Sequence, residues 1–151
     1  MSEDRVTPLG LFHYAHSYAE SASALRRSNS INATHADSPI RFLYTHAIEL
    51  YLKSYLRLSE VTVNELRGRD LGHNMTALRK RAQSFGLNLN LQQEEHIDHL
   101  NDAILDRYIE TGIRTVLQLE TLYELCLFLH EEFGSLIYRD GKLTRSPIKL
   151  N

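Results

Sequence analysis

A chain of 151 residues with 42% apolar content can bury one sizeable core, and a single domain over residues 1–151 is the expectation. Its 19 acidic and 17 basic residues give a formal charge of -2, which excludes nucleic-acid binding driven by overall basicity and leaves only local clusters for that role. The single Cys126 cannot close an intramolecular disulfide, and no apolar run reaches the roughly 20 residues of a membrane span, so the sequence predicts a cytoplasmic chain with no membrane partner.

Thr7 followed by Pro8 is a helix start, because proline at the first helical position gives up a donor that the helix would not use. Leu9, Phe12, Ala15, Tyr18, Ala22 and Leu25 then mark one face of a helix to about Arg27. His13 and His16 lie three apart on a neighbouring face, but a metal there needs a third ligand, so no metal is assigned. After a polar loop, Ser38 and Pro39 repeat the start signal, with Ser38 as the capping residue. The stripe Ile40, Leu43, Ala47, Leu50 and Ser54 is widened by Tyr44, Ile48, Tyr51, Leu52 and Tyr55 until the helix is apolar over most of its circumference. Such a helix is central to the fold or shared with a second subunit. Glu49 and Lys53, one turn apart on it, can pair.

Residues 59–71 read as a loop with at most a helical turn, and Gly72-His73-Asn74 lead into a short helix from Met75 to Phe85, closed by Gly86 as a left-handed cap. Asn90 with Gln93 resembles a capping box opening a helix to about Tyr108, with Glu94, Glu95, Asp98, Asp102 and Asp106 as a solvated outer face. Thr115 to Phe133 is the most apolar helix, which Gly134 is expected to end. In the tail, 135–151, Asp140-Gly141 between Leu136-Ile137-Tyr138 and Leu143-Thr144 predicts a β-hairpin. The expected fold is therefore all-α, an antiparallel bundle of four to five helices with a small C-terminal β-hairpin.

Two constellations carry chemistry. Arg67, Arg69, Arg79, Lys80 and Arg81 stand against one acid, Asp70, and could hold phosphate; the last three could equally be the wet side of an amphipathic helix. Arg67 and His73, five residues intervening, could form a metal-independent ribonuclease centre, with the imidazole exchanging a proton with a ribose 2'-hydroxyl and Arg67 or Arg69 stabilising the phosphate. A histidine beside a helix start can also be a structural hydrogen-bonding group.

Three separated elements resemble the HEPN family of nucleotide-binding helical domains. They are Ala47-Ile48-Glu49-Leu50-Tyr51-Leu52-Lys53-Ser54 in the apolar helix, Gly72-His73-Asn74-Met75 opening a later helix, and the dipeptide Arg107-Tyr108. The resemblance covers most of Pro39 to Phe133. It implies a helical bundle that homodimerises, interacts with a nucleotide or RNA, and works beside a nucleotidyltransferase or an antitoxin, with Glu49, Lys53, His73, Arg107 and Tyr108 as the residues of interest. Ribonuclease members carry an arginine, four to six intervening residues and then a histidine, near their last pair of core helices. Arg67 and His73 meet that spacing in an earlier position, and Asn74 and Met75 replace the commoner aspartate and leucine. No cofactor is expected. A non-catalytic protein-interaction module is the remaining reading.

Overall fold

A computed structural model describes residues 5–28, 32–105, 116–139 and 147–151, with only the backbone described for 102–105. Among the described residues the regular structure is entirely helical: α1 (Pro8–Arg27), α2 (Asp37–Leu58), α3 (Val63–Arg67), α4 (Met75–Ser84), α5 (Leu91–Leu105) and α6 (Leu119–Ile137). The fold is an all-α bundle.

Helix α1 starts as the sequence predicts, with the Thr7 hydroxyl accepting from the Gly10 amide at 2.9 Å. Helix α2 starts earlier than expected. Its cap is Ala36, already in helical conformation and making no side-chain capping bond, so Ser38 lies inside the first turn rather than at its mouth. The segment after α2 contains one short helix, α3, held by a reciprocal capping box between Thr62 and Glu65. Gly86 closes the turn after α4 at φ 110°, a conformation that a side chain disfavours. Asn90 and Gln93 exchange side-chain bonds with each other's amides at 2.7 and 3.0 Å, the capping box expected at the start of α5.

Helix α2 packs against α1, α4, α5 and α6, and this explains its nearly all-round apolar surface. Tyr44, Ala47, Ile48, Tyr51, Leu52 and Leu56 are fully buried within one chain. The direction of packing follows from paired residues. Phe12 meets Tyr51 while Ser23 meets Tyr44, so α1 runs antiparallel to α2. Tyr44 meets Tyr123 and Tyr55 meets Phe133, so α6 runs parallel to α2, a departure from a strictly antiparallel bundle. Between them in sequence, α4 runs along α2, from the His73–Glu49 contact to the bond between Tyr55 and the Phe85 carbonyl. Helix α5 lies antiparallel to α4, with Thr76 bonded near Asn101, Arg79 near Asp98 and Gln83 near Glu94.

Gly134 does not end α6. A Cβ there would stand 3.2 Å from Cζ of Phe12, so the glycine admits that ring, while buried Phe133 and Ile137 on either side carry the helix on to Ile137. Leu136 and Ile137, expected in the first strand of a hairpin, are therefore helical, and the expected turn and second strand at 140–146 lie outside the described residues. Residues 147–151 pack back on the bundle, with Leu150 joining a core that extends from α1 to α6.

Candidate functional site

The local feature that organises the site is the turn between α3 and α4. Gly72 sits at φ 24°, and a Cβ on it would lie 2.9 Å from the Gly68 carbonyl, so the backbone of 68–72 closes more tightly than another residue would permit. Leu71 is buried, its carbonyl accepts from the Asn74 amide at 2.7 Å, and Asn74 caps α4 through the Ala77 amide at 3.0 Å. His73 is thus held between two anchored neighbours and directed at α2.

There it meets Glu49. Oε1 of Glu49 is 2.8 Å from Nδ1 of His73, Oε2 is 3.3 Å from Nζ of Lys53, and Oε2 is 3.9 Å from Nδ1 of His46. The Glu49 side chain is only 4% exposed, whereas the His73 side chain is 55% exposed. A buried carboxylate requires partners, and here one lone-pair set goes to an imidazole and the other to an ammonium. Accepting the Nδ1–H fixes the tautomer of neutral His73, leaving Nε2 as the nitrogen able to exchange a proton. The intrahelical Glu49–Lys53 pair read from the sequence is present. It is one arm of a larger cluster joining α2 to the start of α4.

The other expected residues are distributed differently. Arg67 and Arg69 are exposed on the segment leading to His73. Arg79, Lys80 and Arg81 do not form one basic patch. Arg79 is 8% exposed and forks onto Asp98, Nε to Oδ1 at 2.8 Å and Nη2 to Oδ2 at 2.9 Å, with Nη1 donating to Gln83. That geometry turns Arg79 away from any solvent-borne phosphate and converts part of the supposedly solvated acidic face of α5 into a helix–helix contact. Burial opposes ionisation of Asp98, but hydrogen bonds from Arg79 and Thr76 with the nearby cations prevail and hold its carboxyl below the usual range. Arg81 turns to Glu65 at 3.3 Å and lies over the Phe85 ring, while Lys80 is exposed. Arg107 and Tyr108 lie outside the described residues.

Some participants are not singled out by the sequence. His46 shares a face of α2 with Glu49 and Lys53, and its spacing of three and seven residues from them is the signal that could have found it. His130 stands in the apolar run of α6, stacked on Phe12 at 4.8 Å, with Nδ1 2.9 Å from the Tyr51 hydroxyl and Nε2 2.9 Å from the Ile148 carbonyl. Burial, reinforced by the neighbouring His16, lowers its pKa even though the bond to Ile148 favours the charged form. The His16 ring holds the Lys149 carbonyl at 2.9 Å and the Glu20 carboxylate accepts from the Asn151 amide at 2.6 Å, so these polar groups fasten 147–151. His13 and His16 thus have structural partners, Tyr138 and Lys149, and among the described residues no group of three His, Cys, Asp or Glu side chains is placed to hold a metal. Cys126 is fully buried, with its thiol directed at the Tyr44 carbonyl and its pKa raised by burial. No helix among the described residues is long and apolar enough to cross a membrane.

Comparison with protein-family models, with curated proteins and with solved structures gave no match.

Proposed function

We propose that this chain is a HEPN-like module that interacts with RNA or a nucleotide through the face formed by Glu49, Lys53 and His73. The observation that supports it is the 2.8 Å contact between the buried Glu49 carboxylate and the exposed His73 imidazole, with Lys53 on the second carboxylate oxygen. Such a cluster is costlier to assemble than an apolar contact of the same size, and it fixes the direction of the exposed His73 ring beside the partly covered Lys53 ammonium. Exposed Arg67, Arg69 and Lys80 supply additional positive charge on neighbouring elements. Homodimerisation, a nucleotidyltransferase or antitoxin partner, a toxin or defence role, and a cytoplasmic setting belong to the same reading. The inward apolar residues of α2 are covered within one chain, which leaves Phe42, 57% exposed, as the large apolar side chain of this helix open to a second subunit.

The test is binding of a mixed single-stranded RNA across a salt series. Affinity should fall steeply with salt, because phosphate contacts release counterions, and Lys53→Ala and His73→Ala should each weaken it. Wild-type protein that binds neither RNA nor mononucleotides at low salt would overturn the proposal.

The same contact favours a second reading, a metal-independent ribonuclease. With Nδ1–H held by Glu49, Nε2 of His73 would take the proton of a ribose 2'-hydroxyl as its oxygen bonds to phosphorus. The phosphorus–O5' bond would then break, leaving a 2',3'-cyclic phosphate and a 5'-hydroxyl that takes up a proton, with Lys53, Arg67 or Arg69 offsetting charge on the phosphoryl oxygens. Cleavage of RNA in chelator should disappear in His73→Ala at matched helical content. Cleavage that survives that substitution would remove His73 from the role.

A further inference from the structure

One ridge of α2 continues away from the carboxylate cluster. Lys53, Glu49, His46 and Phe42 recur at intervals of four, three and four residues, the spacing that keeps side chains on one helix face. His46 is the hinge between two kinds of surface. Its Nδ1 is 3.9 Å from Glu49, while its ring lies parallel to that of Phe42, 10° apart with centroids at 6.1 Å. Tyr18 of α1 meets the same imidazole edge-on, at 4.5 Å and 90°. Phe42 is 57% exposed, and Tyr14, one turn along α1 from Tyr18, is 66% exposed. A large aromatic ring in water is costly, and here it is kept in a defined orientation by a neighbour that itself contacts the charged site.

We propose that Phe42 is a base-stacking platform for single-stranded RNA, and that a strand lying along α2 stacks a base on this ring while its backbone passes Lys53 and His73. The proposal rests on the RNA-interacting reading above and adds which part of the ligand is recognised and where. A helix rise of about 1.5 Å per residue separates Phe42 from Glu49 by roughly 10 Å and from Lys53 by roughly 16 Å. The ridge therefore places a π-face in line with one ammonium, that of Lys53, whose side chain is 14% exposed and paired with Glu49, and with the exposed His73 ring beside it. An aromatic face with nearby positive charge is the combination by which single strands are held without sequence readout. A protein partner fits this surface less well. The ring against Phe42 on this ridge is the His46 imidazole, followed by the mostly covered Glu49–Lys53 pair, rather than the apolar surround that a protein hot spot uses to exclude water.

The experiment is fluorescence anisotropy with a short oligouridylate, an oligoadenylate and an abasic ribose-phosphate oligomer of the same length. The proteins are wild type, Phe42→Leu and Phe42→Trp. Phe42 is exposed enough for all three to fold, which helical content would verify. Phe42→Leu should weaken binding of the oligouridylate and oligoadenylate by roughly 5- to 150-fold, the range for losing one stacked base. Phe42→Trp should retain it, and the abasic oligomer should bind wild type and Phe42→Leu alike. If wild type binds RNA in a salt-sensitive way but Phe42→Leu binds equally well, the platform is wrong while the RNA reading stands. If wild type binds no RNA, both fall. Concentration-dependent self-association that Phe42→Leu abolishes, without any effect on RNA affinity, would assign the ridge to a second copy of this chain and overturn the proposal.

Discussion

Replacing Asp98 by alanine should unfold the contact between α4 and α5 more readily than its surface location suggests. The Arg79 side chain is only 9% exposed and gives Asp98 two charge-assisted bonds, at 2.8 and 2.9 Å. Breaking a fully buried pair costs about 3–5 kcal/mol because one charge is left without a partner. Three features reduce that here: the Asp98 side chain is 36% exposed, Gln83 still accepts from Arg79, and Glu94 remains 4.0 Å from the guanidinium. We expect a loss of about 2 kcal/mol, which for a chain of this size lowers the thermal midpoint by about 4–8 °C. Arg79→Met keeps much of the aliphatic packing and leaves an aspartate that water can reach, so it should cost about 1 kcal/mol. The double variant should then be roughly 1 kcal/mol less destabilised than the sum of the singles. Chemical denaturation of the four proteins at pH 7 provides the cycle. Because the Asp98 pKa is lowered in the folded protein, its contribution is present above its unfolded value and disappears as pH falls through the folded one, below about pH 4. A coupling near zero at pH 7, or RNA affinity that falls in Arg79→Met at matched folding, would refute the placement of Arg79 as a structural fork.

Glu60 adopts φ 68° in the turn after α2, so Glu60→Gly should stabilise by about 0.5–1 kcal/mol, the left-handed penalty less the extra freedom of glycine in the unfolded chain; urea midpoints would show it. A double-mutant cycle on Glu49→Gln and His73→Gln should give a coupling of about 1 kcal/mol, below the range for a charge-assisted bond because His73 is 55% exposed; no coupling would separate the two groups in solution. His130 has a lowered pKa in the folded state, so its contribution is complete above its unfolded value of about 6.5 and is lost as pH falls through the folded value. Wild-type thermal midpoints should accordingly fall between pH 7 and pH 5, and His130→Asn, although less stable at pH 7, should show a shallower fall. Gly134→Leu should cost several kcal/mol, since even a Cβ there would meet Phe12 at 3.2 Å, and calorimetry would register it.

Local signals were legible in the sequence because they act within a few residues. Pro8 after Thr7 sets the start of α1, Gly86 supplies the positive φ after α4, and Asn90 with Gln93 opens α5, each by satisfying or sparing backbone groups next to it. The apolar circumference of α2 likewise determines that it is surrounded, since so much hydrocarbon cannot face water. By which elements it is surrounded was a tertiary matter. The parallel alignment of α2 and α6, the fork that turns Arg79 toward α5, and the meeting of His73 with Glu49 across 24 residues of sequence all depend on how helices cross and which side chains then fall within reach. Gly134 shows the boundary most directly. Read alone it is a helix stop, but with the Phe12 ring against it and buried residues on both sides, the packing energy of α6 exceeds the modest cost of a glycine inside a helix.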